Sequence, residues 1–380
     1  MTDTIYLDHA ATTPMAPEAI DVMTTALQEN YGNASSVHAL GKKNRVLIDY
    51  ARETMANSIG AKPREIVITS GGTESDNMAI IKTAEYLAEK GKHLITTNVE
   101  HPAVTNPMRY LESKGFEVTY LPVDEKGRIS VDQVKEAIRP DTTLVSVMYG
   151  NNEVGTIMPI QAIGEHIDSL DQTIAFHTDA VQAYGTVSLD VEELKVDLLS
   201  VSAHKMKGPK GIGFLYVRKG LSIPNLLLGG GQENERRAGT ENIPAILAFE
   251  KAIQLSQENK EDHIKHLTTL KETFMELLAE SEIDYSLNGA IDDSLPHVLS
   301  INFPAIRSDM LLIQMDLRGV AMSAGSACSA GTIEPSPVLV AMFGEEANEI
   351  EHTVRFSFGE ENTVAEIEQV VELLENITIK

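Results

Sequence analysis

The chain has 380 residues, of which 42% are hydrophobic and 23% are charged, as is ordinary for a soluble globular enzyme. This length allows a large core and favours two domains over one. The net charge of −25 argues against direct binding to the phosphate backbone of nucleic acid. Solubility is sufficient to explain this surplus of acidic residues.

Targeting signals are not evident in the sequence. No apolar run is long enough to span a membrane, and the N-terminus lacks the charged and apolar regions of a signal peptide, so we expect a cytoplasmic protein. The single cysteine, Cys328, excludes an intramolecular disulfide and suggests a reducing compartment. Its thiol is either inert and buried or chemically active.

The N-terminal part begins with a brief predicted strand at 5–7. The polar segment 8–14 follows, and it could line a site or simply form a turn. Helices are predicted next, at Pro17–Glu29 and 41–59, from the spacing of their apolar residues.

Strands and helices then alternate through the first two thirds of the chain. Strands are predicted at 65–69, 93–99, 116–121, 143–148, 173–177, 198–201 and 214–217. Helices are predicted between some of them, at 76–89 and 130–138. This alternation indicates an α/β fold with a mostly parallel, doubly wound sheet. Ligands of such sheets bind outside the carboxyl ends of the strands.

Polar residues follow several of these strands at the ends where a ligand would bind. Gly72 and Thr73 lie between a strand and a helix, where backbone N–H groups can hold an anion, although a helix cap explains them almost as well. His101 suits stacking on a planar ring or proton transfer, and is about as often structural. Asp179 would pair with a pyridinium nitrogen or would cap the next helix.

Lys205 stands at the mouth of the apolar strand 198–201, before a glycine-rich turn. Loss of solvent would lower the pKa of its amine and suit it to Schiff-base formation with an aldehyde such as pyridoxal phosphate (PLP). Taken alone, it is more readily explained as a solvated lysine of a hairpin loop. The sheet, however, brings other polar residues to the same crevice: Gly72, Thr73, His101, Asn152, Asp179, Gln182, Ser202 and His204. Together they predict a PLP site, and no metal site is predicted.

A charged stretch at 258–262 marks the predicted domain boundary. It follows a predicted helix at Ile243–Glu258 and a polar loop, 236–242, that suits an interface better than a core. Beyond it the pattern is α+β, with strands at 297–303 and 354–358 and helices at 263–279, 309–318 and 364–376. We predict a large domain, 16–258, a small C-terminal domain, 259–380, and an N-terminal arm, 1–15, that packs with the small domain.

Two further residues of the C-terminal part could carry chemistry. Cys328 lies in a run of small residues, 323–332, that cannot anchor a core, so we expect an exposed and mobile loop. Free cysteines are usually buried, and a thiol on such a loop is better explained as a nucleophile than as packing. Arg355 would clamp a carboxylate or form an ordinary ion pair.

The assembled sequence resembles the cysteine desulfurases, which are PLP enzymes of the class V aminotransferase group with the aspartate-aminotransferase type of fold. The likeness runs nearly end to end, through YLDHAATTP from Tyr6, TSGGTESDN from Thr69, EHPAV from Glu100, NNEVGT from Asn151, HTDAVQ from His177, SAHKMKGPKGIG from Ser202, RRAGTEN from Arg236, SAGSACSAGTIEPS from Ser323 and VRFSFG from Val354.

The resemblance implies a role for each predicted site residue. Lys205 would hold PLP as a Schiff base, and Asp179 would pair with the ring nitrogen. His101 would stack on the ring and Gln182 would reach its hydroxyl group. The phosphate would be bound by Thr73, Ser202 and His204, with Thr240 from the other subunit of a homodimer. The substrate carboxylate would be held by Asn152 and Arg355, and Cys328 would take the sulfur.

The implied activity is desulfuration of L-cysteine. Lys205 would remove the α-proton, and the Cys328 thiolate would take the sulfur as a persulfide and release L-alanine. The sulfur would then pass to an iron–sulfur scaffold, a tRNA-thiolating enzyme or a thiamin-pathway carrier. The loop before Ile333 resembles the subgroup with a long catalytic loop, which must carry sulfur outward. The alternatives are a selenocysteine lyase, an ordinary class V aminotransferase and a non-catalytic scaffold.

Overall fold

The computed structural model describes residues 4–324 and 335–379. Its strands are β1 (Ile5–Tyr6), β2 (Ile66–Thr69), β3 (His93–Thr97), β4 (Glu117–Leu121), β5 (Thr142–Ser146), β6 (Ala175–Asp179), β7 (Leu198–Ser202), β8 (Gly213–Val217), β9 (Ser286–Asn288), β10 (Val298–Asn302), β11 (Val320–Ala321) and β12 (Thr353–Ser357).

The helices cover both faces of the large sheet, and others pack with the C-terminal strands in one apolar cluster. They are α1 (Pro17–Glu29), α2 (Ala39–Asn57), α3 (Gly72–Asn77), α4 (Thr83–Leu87), α5 (Pro102–Ser113), α6 (Val131–Ala137), α7 (Ile160–Asp168), α8 (Val191–Leu194), α9 (Gln232–Glu235), α10 (Ile243–Glu258), α11 (Lys260–Glu280), α12 (Ser308–Asp316), α13 (Pro337–Phe343), α14 (Glu349–His352) and α15 (Val364–Thr378). A π-helical turn, Met78–Lys82, joins α3 to α4.

The central sheet has seven strands in the order β2-β8-β7-β6-β5-β3-β4. The strand β8 is antiparallel to both its neighbours, and the remaining pairs are parallel. The carboxyl ends of β2, β3, β5, β6 and β7 therefore meet at one edge. The predicted mostly parallel sheet is confirmed, and its ligand-binding edge follows from this order.

The strands of this sheet are apolar on both faces because helices cover both. Side chains alternate between two buried clusters, as the two-residue period of a strand requires. One layer receives Val67, Leu94, Leu144 and Leu198, and the opposite layer receives Ile66, Ile95, Val145 and Leu199.

The C-terminal part contains an antiparallel sheet of order β12-β10-β9 and a further apolar cluster. Phe274 of α11 and Phe356 of β12 pack in that cluster with ring centroids 4.8 Å apart. β1 pairs in parallel with β11, and Ile5 joins the same cluster. The cluster of the large sheet also includes Val338 of α13. The division of the chain into domains at residue 258 stays a prediction.

Several predicted elements differ in their bounds. The helices α1 and α10 have the predicted limits, but the helix after β2 begins at Gly72 rather than at residue 76. The reason is Gly71, whose φ of 142° lets the chain turn into the helix directly. Asp179 is the last residue of β6, whereas we expected it just after the strand.

Across the described part of the chain, no helix has both the length and the apolar character needed to cross a membrane.

Candidate active site

A cavity of about 770 Å³ opens at the edge where the carboxyl ends of the parallel strands meet. Its wall contains ten of the residues that we predicted for the site: Gly72, Thr73, His101, Asn152, Asp179, Gln182, Ser202, His204, Lys205 and Arg355. Cys328 lies outside the described residues. The sequence pattern therefore located this cavity, although the role of each residue stays a prediction.

Lys205 ends a short 3₁₀ turn that directly follows β7. Its Nζ donates hydrogen bonds to the carbonyl oxygens of Ala10 (2.6 Å) and Ala11 (2.9 Å). Burial lowers the pKa of Lys205 to about 8, and the cation of Arg355 acts in the same direction. More of this amine is uncharged at neutral pH than is usual for lysine, so it is a better nucleophile.

Asp179 presents a buried carboxylate at the end of β6. Its Oδ1 accepts a hydrogen bond from the backbone N–H of Val181 at 2.9 Å. Burial raises the pKa of Asp179, while the nearby His101 opposes that rise. A carboxylate in this position gains free energy from a further donor or cation placed in the cavity.

His101 caps the N-terminus of α5. Its Nδ1 accepts a hydrogen bond from the backbone N–H of Ala103 at 3.1 Å, which places the proton of the neutral ring on Nε2. Burial lowers the pKa of His101, and the positive charge of Lys205 lowers it further. The cavity wall therefore contains a neutral, planar ring.

A layer of buried polar side chains lies beneath Asp179. His177 shares a strand face with Asp179 because the two are separated by one residue. Its ring bonds to Ser146 Oγ (2.8 Å) and Ser200 Oγ (3.0 Å), and its Nε2 is 3.5 Å from Asp76 Oδ1. Burial lowers the pKa of His177 to about 3, so its ring is neutral.

The sequence interpretation missed four acids of the cavity wall, Asp8, Asp76, Glu100 and Glu153. Asp76 and Glu100 both line the cavity, and burial raises the pKa of each, that of Glu100 to about 8. Glu100 accepts hydrogen bonds from Thr97 Oγ1 and the Met148 N–H. Asp76 and Glu100 lie within stretches that carry the family resemblance, which was the signal available for them.

The anion cradle expected at the start of α3 is narrow and lined by glycine. A Cβ on Gly72 would lie 2.8 Å from Val181 Cγ2 and 3.6 Å from Ser202 Cβ. Ser202 is buried beside it, and Thr73 is exposed in the first helical turn. Glycine at position 72 avoids a close contact with Val181, and it leaves the backbone N–H groups at the start of α3 without a side chain in front of them.

Arg355 enters the cavity from β12 and is 3% exposed. Its Nη1 donates to the carbonyl oxygen of Asn152 (2.7 Å), and its Nη2 donates to Asp8 Oδ1 (2.8 Å). The structure shows the ion pair of Arg355, and because Arg355 also lines the cavity, its role as a carboxylate clamp stays a prediction. We had not assigned a role to Asp8.

The segment 8–13, between β1 and α1, contacts several of these groups. Besides the pair of Asp8 with Arg355, the Ala10 carbonyl accepts hydrogen bonds from both Lys205 and Gln182. Thr12 Oγ1 lies 3.1 Å from His204 Nδ1. The sequence indicated that this polar segment could line a site, and the contacts place it in the wall.

Thr240 lies apart from the other predicted site residues. It is exposed and lines a separate cavity of about 60 Å³ together with Ser70 and Arg237. The loop that carries it is anchored by a buried pair in which Arg52 makes two short contacts with Glu233, of 2.6 and 2.7 Å. Glu233, within α9, has a left-handed φ of 50°.

Comparison with known proteins agrees with this geometry. The Aminotransferase class-V family matches residues 5–370, so the chain belongs to that family. It is 46% identical to the cysteine desulfurase IscS of Dictyoglomus turgidum, over 99% of this chain and 95% of that protein.

Solved structures give the same result. A NifS-like protein superposes with a TM-score of 0.92 at 34% identity, covering 98% of this chain and 99% of that one. A structure described as SspA in complex with cysteine superposes with a TM-score of 0.83 at 37% identity, covering 95% of this chain and 100% of that one. These matches confirm the predicted resemblance and the PLP-type α/β fold.

Pyridoxal phosphate is the cofactor of this family, and the cavity fits it. A buried carboxylate with room for a further donor, Asp179, suits the ring nitrogen. The amine with a lowered pKa, Lys205, suits the aldehyde, and the glycine-lined cradle at Gly72 suits the phosphate.

Proposed function

We propose that this protein is a cysteine desulfurase that uses PLP to move sulfur from L-cysteine to Cys328. The observation that carries the proposal is the cavity that joins Lys205, Asp179, His101 and Arg355. The names of the relatives favour this activity over an ordinary aminotransferase, because both an IscS protein and a protein in complex with cysteine are similar along nearly the whole chain.

The chain's own residues would hold the cofactor as follows. Lys205 would bind its aldehyde, Asp179 its ring nitrogen and Gln182 its ring hydroxyl. The phosphate would be held by Gly72, Thr73, Ser202, His204 and the partner subunit's Thr240. When bound, PLP supplies an aldehyde for amines and a ring that accepts the electrons released at the α-carbon of the substrate.

Lys205 and Asp179 divide the acid–base work. Lys205 Nζ, uncharged more readily than an ordinary lysine, is the base for the α-proton. Burial raises the pKa of Asp179, so its ionised carboxylate needs a donor or a cation beside it. Paired with the ring nitrogen, this carboxylate would favour the protonated form of that nitrogen. His101, neutral and planar, would stack against the ring and keep water from that face.

Substrate binding and sulfur transfer would use further residues. Arg355 and Asn152 would hold the carboxylate of L-cysteine. The thiol of Cys328 and L-cysteine would give a Cys328 persulfide and L-alanine, which balances the atoms without a further oxidant or reductant.

Cys328→Ser provides the experiment that tests this function. We expect the variant to bind PLP and L-cysteine, since neither event uses the Cys328 thiol, and to lose L-alanine release because a hydroxyl has a far higher pKa. Wild-type protein treated with L-cysteine should carry one added sulfur, found by mass spectrometry on the peptide with Cys328. Sulfide and alanine formation without added sulfur there would contradict the proposal.

We further propose that the protein is a homodimer. Thr240 is exposed outside the main cavity, and large apolar side chains of the α1–α2 region face solvent, among them Tyr31, Val37 and Val46. A second copy on this surface would bury them. Sedimentation should find a dimer, and Thr240→Ala should weaken PLP retention; an active monomer at assay concentration would contradict the proposal.

Cytoplasmic location and the sulfur acceptor belong to the same proposal. The IscS name of a relative favours an iron–sulfur scaffold as acceptor, with a tRNA-thiolating enzyme as the second candidate. Direct contact with nucleic acid is not expected at a net charge of −25. Capture of each purified acceptor by the persulfide-loaded protein, against the Cys328→Ser variant as control, would distinguish the two.

A further inference from the structure

The carboxylate subsite at Arg355 already contains a carboxylate. Both terminal nitrogens of this buried guanidinium are engaged, Nη1 by the Asn152 carbonyl and Nη2 by Asp8 Oδ1 at 2.8 Å. Arginine binds a free carboxylate best through two parallel N–H groups. Asp8 therefore holds one of the N–H groups that a substrate carboxylate would meet at this guanidinium.

The surroundings of Asp8 allow its side chain to leave without moving the backbone. The carbonyl oxygen of Asp8 accepts hydrogen bonds from Tyr6 Oη (3.1 Å) and the Ala11 N–H (3.0 Å), so the main chain is fixed. Its side chain is 23% exposed, against 4% for that of Arg355. Among the described residues, the carboxylate of Asp8 forms its hydrogen bond with Arg355 alone.

A second buried pair shows what a permanent contact looks like in this fold. Arg52 and Glu233 make two short contacts, and both side chains are almost fully buried, at 6% and 3% exposure. Glu233 also accepts from the backbone N–H of Ile68. In residues 4–324 and 335–379, the Asp8 carboxylate has one hydrogen-bonded partner, and its side chain is partly exposed, which is the geometry of an exchangeable partner.

We propose that Asp8 occupies the carboxylate subsite of Arg355 in the free protein and that a bound carboxylate displaces it. This inference rests on the proposed function only in naming Arg355 as the ligand of the substrate carboxylate. Asp8 places a negative charge beside the buried guanidinium until substrate arrives, which offsets part of the cost of burying that charge.

The exchange makes the site selective. When a carboxylate without other groups binds, its ion pair with Arg355 replaces the pair between Asp8 and Arg355, so the net gain is small and binding is weak. An amino acid adds the contacts of its amine and side chain, and these provide the net affinity. Asp8 is thus a specificity residue that acts by competition.

The test measures binding of propionate, which has a carboxylate but no amine, to the PLP-loaded protein by titration calorimetry. In Asp8→Asn the dissociation constant of propionate should fall by about tenfold, since close charge pairs of this kind contribute at least that factor. Propionamide, which has no charge, should gain nothing. The matched control is Asp309→Asn, which breaks the exposed pair of Asp309 with Arg307 and should leave propionate binding unchanged.

A second variant separates competition from orientation of Arg355. If Asp8 only orients Arg355, Asp8→Asn and Asp8→Ala would bind propionate as weakly as wild type or more weakly, and the proposal would be overturned. The double variant Asp8→Asn/Arg355→Gln should lose the gain, and retention of the gain would overturn the proposal too. L-alanine formation by wild type is measured in parallel. A wild type that made none would refute the proposed function and leave the propionate result intact.

Discussion

Lys205 is half-buried and Lys271 is buried, and burial lowers the pKa of each to about 8 although their surroundings differ. Each also donates two hydrogen bonds, Lys205 to the carbonyls of Ala10 and Ala11, and Lys271 to Ser294 Oγ (2.6 Å) and the Leu295 carbonyl (3.1 Å). By pKa alone, the two amines cannot be told apart.

The difference lies in the charges around each amine. The pKa of Lys205 responds to the cation of Arg355 and to the carboxylates of Asp179 and Asp8, whereas that of Lys271 responds to burial alone. Lys205 also faces a cavity large enough for a cofactor. A perturbed pKa therefore identifies a buried amine, and only the converging groups identify a reactive one.

The largest expected effect comes from replacing each lysine in turn. Lys205→Ala should lower L-alanine production by about 10³-fold or more, because the variant loses both the base for the α-proton and the amine that bonds to PLP. Lys271→Met should retain activity and the absorbance of the bound cofactor. Comparable losses in both variants, measured by alanine release and absorbance at matched protein concentration, would erase the distinction between the two lysines.

An intermediate effect is expected from the cation that distinguishes the two sites. Arg355→Gln should raise the pKa of Lys205 but not that of Lys271, and so move the midpoint of PLP uptake by cofactor-free protein to higher pH. It should also lower kcat/KM for L-cysteine by about 10²-fold, since a buried charge partner is lost. Arg307→Gln, at the surface, is the control. An unchanged pH midpoint would show that Arg355 does not act on Lys205.

The smallest effect concerns stability. Lys271 is protonated in both the folded and unfolded protein below pH 8, so the cost of burying its charge is then present in full. Between pH 8 and its ordinary value of 10.5 the unfolded chain binds more protons, so stability rises with pH. Between pH 8 and 9.5, the free energy of unfolding of the wild type should rise by about 2 kcal/mol relative to that of Lys271→Met, as measured by urea unfolding of the PLP-loaded protein. Parallel pH curves would mean that Lys271 is not buried as a charge.

Much of the fold and of the cavity could be predicted because the signals are local. Apolar strands separated by helices define the sheet, and the parallel strands deliver the residues that follow them to one edge, as for His101 and Lys205. Helix limits such as those of α1 follow from nearby residues, with Pro17 at its first position.

The contacts that were missed depend on tertiary structure. Asp8 and Arg355 form a pair although they are 347 positions apart in the chain, and no local sequence pattern predicts such a pair. Asp76 and Glu100 were missed because their effect comes from burial beneath Asp179, which becomes visible only when helix and strand are packed. Thr240 could be assigned a role only through resemblance.

The pairing of β1 with β11 has a consequence for synthesis of the protein. The strand made first must wait for a partner that leaves the ribosome more than three hundred residues later. Until then, the segment that accepts hydrogen bonds from Lys205 can be held by the large-sheet part of the chain, through contacts such as Thr13 with His204 and Gln182 with Ala10. A nascent chain that ends before β12 would lack the guanidinium of Arg355, so the cavity is completed only when the last part of the chain is made.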